Sequence, residues 1–512
     1  MLSRQTALSL GCACVLLLLF GCQTESARAQ STEARITVLS ISPARVRVEG
    51  RREFATRVWS FRNAYGSLLG LGERIENLSL ADEKGVNVPV KKLAAGEYEA
   101  AREASRWSYE VKLDAPALVS DAAYASWLAD GRGLLMLGDL LPLKVDEKQA
   151  SNNGARVSFS LPANWNVISN ETKRGDGQFE TMETEDAVFF VGTDLREKRE
   201  RVGQMEFSLA TSGTWAFTEQ DVLSMAASIL KDYTARTGVA PRPRAMLMLS
   251  PFPRSVGAER WSAETRGGTV MLLSGQSPSK LAGLAQLSSP MTHELFHLWV
   301  PNGLKLDGNY AWFYEGFTLY QALCAGVRLH FLMFQDYLNA LGRAYDAYLA
   351  ASDGRKLSLL EASQRRWTGA TALVYQKGML VAFLYDLSLR YMTRGKHTLD
   401  DSFRALFQQR TFFEQRALMQ RSAKTETRSD GNEVVLALLK SQEPMQGFVR
   451  SYIESAGELD LQAAVAPFGL TVERFGIRTQ ISVAAKLSRQ QRDLLSAFGY
   501  NENAQRPGKR VS

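Results

Sequence analysis

Cysteine is nearly missing from this chain. There are four in 512 residues, and three of them, Cys12, Cys14 and Cys22, fall within the first 22 positions. Only Cys324 remains in the body, so no intrachain disulfide is available and a cysteine-ligated zinc site is excluded. Cys324 follows Leu323 in an apolar helical pattern and reads as a buried, inert thiol. Histidine is equally scarce at four residues, which makes any paired arrangement of imidazoles informative. The basic excess is small and diffuse: 61 Lys and Arg against 54 Asp and Glu give a net charge of +7 without a polybasic block, so nucleic acid is not an expected partner. The apolar run over residues 8–20 is too short to span a bilayer. No internal repeat is present, which excludes a solenoid.

What remains is an ordinary globular composition, 45% hydrophobic, 22% charged and 10% aromatic, with length for about three domains. Residues 1–29 read as a bacterial export signal: Arg4 supplies the positive start, residues 8–20 the apolar core, and Gly21-Cys22 resembles a lipoprotein cleavage site. That resemblance implies diacylglycerol on Cys22 and membrane contact through this lipid alone. A competing cut after Ala29, from Ala27-Arg28-Ala29, would release a soluble secreted protein. Either cut exports the chain, to the periplasm, to the outer membrane as a lipoprotein, or outside the cell.

The expected fold class is multidomain α+β. Residues 31–215 carry short alternating runs such as Arg35-Ile36-Thr37-Val38 and Tyr109-Glu110-Val111-Lys112-Leu113, with Asn152-Asn153-Gly154 as the clearest turn, and predict an antiparallel, sandwich-like β domain. From 216 to 457 an α/β unit passes into mostly helical patterns. These include a long helix over 371–394 that stops at Gly395. Residues 458–512 have weak periodicity and end in a polar tail.

The chemistry concentrates in Thr292-His293-Glu294-Leu295-Phe296-His297-Leu298-Trp299, which contains His-Glu-x-x-His. On a helix this spacing stacks His293 and His297 one turn apart, where two nitrogens can meet one zinc ion. Glu294 projects from the neighbouring face, within reach of a water proton without ligating the metal. Ser289 as cap, Pro290 as first helical residue and Pro301 as terminator predict the helix limits. A zinc hydrolase needs a third protein ligand and one open position. Glu315, embedded among Trp312, Phe313 and Phe317, is the candidate, because a carboxylate in apolar surroundings calls for a compensating cation. His330 and His397 have no such company and read as surface or structural residues.

His-Glu-x-Phe-His-x-Trp and Trp-Phe-x-Glu-Gly-Phe-Thr resemble the gluzincin metallopeptidases, more closely the glycyl aminopeptidase family than the aminopeptidase N family. Seventeen residues separate His297 from Glu315, one fewer than in aminopeptidase N relatives. The resemblance implies a β-rich domain before a thermolysin-like catalytic domain. It also gives the Tyr375 of Tyr375-Gln376-Lys377-Gly378 the task of hydrogen-bonding a tetrahedral oxyanion. The usual PDZ domain of glycyl aminopeptidases is not expected in the residues after 458. Relatives grip the substrate amine with a glutamate beside a glycine-rich edge strand. Gly267-Gly268-Thr269-Val270-Met271-Leu272 carries no acid, so this segment is expected to bind an extended peptide through its backbone only.

The expected function is zinc-dependent peptide hydrolysis with one Zn²⁺ per chain, held by His293, His297 and Glu315, with Glu294 moving the proton and Tyr375 steadying the oxyanion. An aminopeptidase-like exopeptidase acting on peptides or protein termini in the cell envelope is the leading reading. A catalytically weak peptide-binding scaffold and an endopeptidase are its alternatives.

Overall fold

The computed structural model describes residues 32–144, 154–351, 356–408 and 429–501. The export signal with Cys22, the Asn152-Asn153 part of the expected turn and the polar tail lie outside the described residues.

Apolar and polar residues alternate along the first strands, so each buries one face. In Ala44–Ser60 the residues Ala44, Val46 and Val48 point inward while Arg47 and Glu49 are exposed. Among the described residues, nine strands form one sheet and four another, Asn166–Ser169, Val188–Gly192, Arg132–Met136 and Trp127–Ala129. A shared core of Val46, Val48, Trp59, Trp107, Leu135 and Phe189 joins them. The larger sheet is mixed and not purely antiparallel, because Thr32–Ile41 pairs in parallel with Ala155–Ser160. Parallel partners meet only after a long crossover, and the local pattern carries no trace of it.

The four-stranded sheet is covered on both faces. Leu135, Phe189 and Val191 face the first core, whereas Leu134, Met136, Val188 and Phe190 meet Met246, Met248, Met271 and Leu273 of a third sheet. This double burial is why Val188–Gly192 is apolar throughout. The third sheet has the order Arg196–Val202, Met205–Thr211, Arg244–Pro251, Thr269–Ser274, Trp261–Arg266. Its first two strands, Arg196–Val202 and Met205–Thr211, lie within the segment that the alternating runs assign to the N-terminal domain. A hairpin reads alike in either sheet, and only its partner decides. Helices cover the far face of this sheet, giving three stacked β-layers and one helical layer around the largest core.

The weakly periodic segment after 458 holds a hairpin, Leu470–Phe475 with Arg478–Val483, and a helix, Arg489–Ser496. The hairpin sits on the helix Phe334–Ala350, where Thr479 N–H donates to Asp346 Oδ2 at 3.2 Å. Glu473, Arg474 and Phe475 are exposed, which blurs the alternation.

Candidate metal centre

His293 and His297 lie at the end of the helix Lys280–Phe296, capped by the Ser279 side chain accepting from Ala282 N–H at 3.3 Å. The helix starts ten residues before Pro290 and contains it, so Ser289 is not its cap. A proline inside a helix withdraws one hydrogen bond, and packing against the sheet carries the helix through: Leu287, Met291 and Leu295 are fully buried. The Tyr233 hydroxyl also grips the Thr292 carbonyl at 2.5 Å. The two imidazoles lie on one face of the helix, edge to face, with ring centroids 4.6 Å apart.

Glu315 is the junction between two helices, Ala311–Tyr314 and Gly316–Arg328. The following Gly316 makes this possible: a Cβ there would lie 2.5 Å from Gly378 Cα, so a second helix, Gly378–Met392, approaches backbone to backbone. The Glu315-Gly316 and Lys377-Gly378 phrases therefore touch, and this brings Tyr375 to the same cleft. Its residue lies in a π-helical turn, Leu373–Lys377, not in a regular α-helix as the sequence predicts.

Three acceptor atoms converge. The Nε2 atoms of His293 and His297 are 3.1 Å apart, and Glu315 Oε2 is 3.5 Å from each. His297 Nδ1 faces the Val300 carbonyl at 2.8 Å, which assigns its proton to Nδ1 and leaves a lone pair on Nε2. Lone pairs and a carboxylate oxygen packed this closely require a cation between them. Tetrahedral zinc with ligand bonds of about 2.0–2.1 Å needs donor atoms about 3.4 Å apart, which the triangle matches. Glu294 belongs to the same cluster, its ligating atom within 4.8 Å of those of the two histidines. Its Oε2, however, accepts from the Thr265 hydroxyl at 2.7 Å, a partner that holds it beside the triangle.

Without metal a proton fills the gap. Burial lowers the His297 pKa, but the Glu315 charge and hydrogen bond outweigh it and raise the value to about 9. The Glu315 carboxylate, despite its burial, is held well below the usual range by His297, Arg366 and the imidazole hydrogen bonds. Metal must displace the His297 proton, so zinc affinity is expected to rise about tenfold per pH unit from 7 to 8 and to level off above about 9. Calorimetric titrations in buffers of different ionisation enthalpy should find about one proton released per zinc at pH 7.5. The same linkage makes the metal-free protein lose stability as pH rises from 6.5 through about 9, because only the folded state holds that proton.

A cleft of about 650 Å³ surrounds the triangle, lined among others by Tyr65, Tyr124, Glu264, Glu294, Arg366 and Tyr375. The expected substrate strand is placed differently from the sequence reading. Thr269–Ser274 is interior, paired on both sides, and Gly267-Gly268 form the turn before it, packed toward Asp186, Asn170 and Arg242. The edge strand on the side of the cleft is Trp261–Arg266, unpaired on its outer side among the described residues, and it carries an acid. Its Ser262, Glu264 and Arg266 reach the β-rich half at the Ser120 carbonyl, Tyr65 hydroxyl and Tyr124 carbonyl, while Thr265 reaches Glu294. Glu264 accepts from the Tyr65 hydroxyl at 2.6 Å, and burial with the nearby Glu294 charge pushes its pKa up to about 7. His330 and His397 are exposed and away from the cleft. Burial pushes the Cys324 thiol up to about 12, so it stays protonated and inert.

No protein-family model matches the sequence, and no curated protein matches it. Solved structures do. An aminopeptidase N family protein from Idiomarina loihiensis superposes with a TM-score of 0.70 at 18% identity, over 86% of this chain and 79% of that one. A variant M1 zinc metallopeptidase from Deinococcus radiodurans, bound to a Tyr-Ser-Ala substrate, gives 0.52 at 15% identity, over 84% of this chain and 94% of that one. With a β-rich half followed by a helical half, the chain shares the fold of these two proteins.

Proposed function

We propose that this chain is a zinc-dependent peptidase of the gluzincin type that removes residues from the free amino end of peptides in the bacterial envelope. The convergence of His293 Nε2, His297 Nε2 and Glu315 Oε2 on one point carries the reading. The phrases around these residues favour the glycyl aminopeptidases as the nearer relatives. When bound, zinc supplies a Lewis acid that polarises the scissile carbonyl and acidifies water.

The chain's own residues do the rest. Glu294, oriented by Thr265, takes the proton of the attacking water and returns it to the leaving amine. Tyr375 donates its hydroxyl hydrogen to the oxyanion; burial, then Glu315, raises its pKa, so the phenol stays protonated. The free edge of Trp261–Arg266 pairs with an extended substrate backbone, and Glu264 receives the substrate ammonium. Gly66, in the turn between the short paired strands Ala64–Tyr65 and Leu68–Leu69, comes close to Trp367, a Cβ there lying 3.6 Å from the ring, and both line the cleft, so that one end of it would be narrow. This favours exopeptidase action over cutting within a chain. The scaffold alternative drew on a missing acid at the cleft edge, and Glu264 removes that ground.

Glu264→Gln is expected to lower kcat/KM for free-amine peptides about a hundredfold, mostly through KM, by removing a buried charge pair. It should also narrow the discrimination against N-acetylated peptides. For the unaltered enzyme, KM should fall as pH rises through about 7, where the carboxylate forms. Equal cleavage of acetylated and free peptides by the unaltered enzyme would overturn the exopeptidase assignment.

A further inference from the structure

One guanidinium in the cleft touches both Glu315 and Tyr375. Arg366 Nη2 lies 2.7 Å from Glu315 Oε1 and donates to the Tyr375 hydroxyl, and Nη1 donates to the Tyr314 hydroxyl at 3.3 Å. The side chain is 11% exposed, with Trp367 beneath it at 4.3 Å from the ring centroid. Arg366 comes from a short 3-10 turn, Arg366–Thr368, outside all three motif phrases. Burial disfavours its charge, but Glu315 and the surrounding phenols more than restore it.

We propose that Arg366 is a positioning residue that holds Glu315 to a single metal-facing oxygen and turns the Tyr375 proton into the cleft. The inference rests on the zinc peptidase reading above. Its first half follows from the division of the carboxylate: Oε1 is taken by the guanidinium, and Oε2 is the atom 3.5 Å from both imidazoles. A carboxylate so pinned presents one oxygen and leaves room for solvent and substrate at the fourth position. Its second half follows from hydrogen-bond inventory. A guanidinium has only donors, so the Tyr375 oxygen facing it accepts, and the phenolic hydrogen must point elsewhere. Tyr375 lines the cleft together with His293 and Glu294, so that hydrogen is available to an oxyanion there. Donation from a cation also strengthens the donor power of the phenol it contacts. Lysine is a point charge and cannot serve both partners in this fork.

The test compares the unaltered protein with Arg366→Met, Arg366→Lys, Tyr375→Phe and the Arg366→Met/Tyr375→Phe pair. Zinc affinity is read by chelator competition, and kcat and KM are read on a free-amine peptide, after circular dichroism has established folding. Arg366→Met is expected to weaken zinc binding about tenfold and to lower kcat about a hundredfold with KM nearly unchanged. Adding it to Tyr375→Phe should cost much less than it does alone, because both act on one donor. Arg366→Lys, which keeps charge and bulk, should recover part of the zinc affinity but little of kcat. Unaltered zinc affinity and kcat in Arg366→Met would overturn the inference alone, as would a loss confined to KM. Fully additive losses would overturn the Tyr375 half. An unaltered protein that takes up no zinc would instead overturn the peptidase reading, and this inference with it.

Discussion

Glu294→Gln should lower kcat about a thousandfold while the protein still binds about one zinc per chain, since general base catalysis is typically worth 10²–10⁴-fold. The substitution is isosteric. The amide oxygen can still accept from Thr265 at the position where Glu294 Oε2 does so at 2.7 Å, so the local helix is not disturbed. What is lost is the capacity to accept and return a proton. Glu294 is 6% exposed, and an amide in that place costs less to bury than a carboxylate. Metal analysis and steady-state kinetics on the same preparation separate the two roles, since a ligand would lose zinc and a base would lose turnover. If the variant turned over normally, the mechanism would be wrong.

The second large effect is at Tyr375. Its replacement by phenylalanine should lower kcat by 10²–10³-fold with KM changed little, the size expected for removing one oxyanion donor. The ring is kept, so packing in the π-helical turn Leu373–Lys377 survives. Arg366 then loses one of its acceptors but retains Glu315 and Tyr314, so zinc affinity should change less than in Arg366→Met. Pre-steady-state kinetics would place the loss in the chemical step. A Tyr375→Phe enzyme within a factor of two or so of full kcat would contradict an oxyanion role.

Legibility in the sequence followed the range of the interaction. His293, Glu294 and His297 were readable because four residues on a helix fix their mutual geometry without help from the rest of the fold. Glu315 was readable because a carboxylate among aromatic residues has few places to go. Its position at a helix junction was not, since that depends on the contact between Gly316 and Gly378 from distant parts of the chain. Glu264 was missed for a different reason. The apolar run Val270-Met271-Leu272-Leu273 stands out as a strand, and the neighbouring Ser262-Ala263-Glu264-Thr265-Arg266 does not, because Ser262, Glu264 and Arg266 turn to the β-rich half and leave Ala263 as its one apolar core residue. The strand order supplies what the pattern hides. Arg366 has no local signal at all. Likewise the hairpin Arg196–Val202 with Met205–Thr211 joined the third sheet through a parallel pairing with Arg244–Pro251, a partner more than thirty residues away.

Shared ligation of one zinc ion by His293, His297 and Glu315 can be read from a crystal of the zinc-loaded protein, measured at wavelengths on either side of the zinc absorption edge. One anomalous peak is expected, at about 2.0–2.2 Å from His293 Nε2, His297 Nε2 and Glu315 Oε2, with Glu294 outside bonding distance. A peak elsewhere, or a metal held by Glu294 in place of Glu315, would contradict that shared ligation.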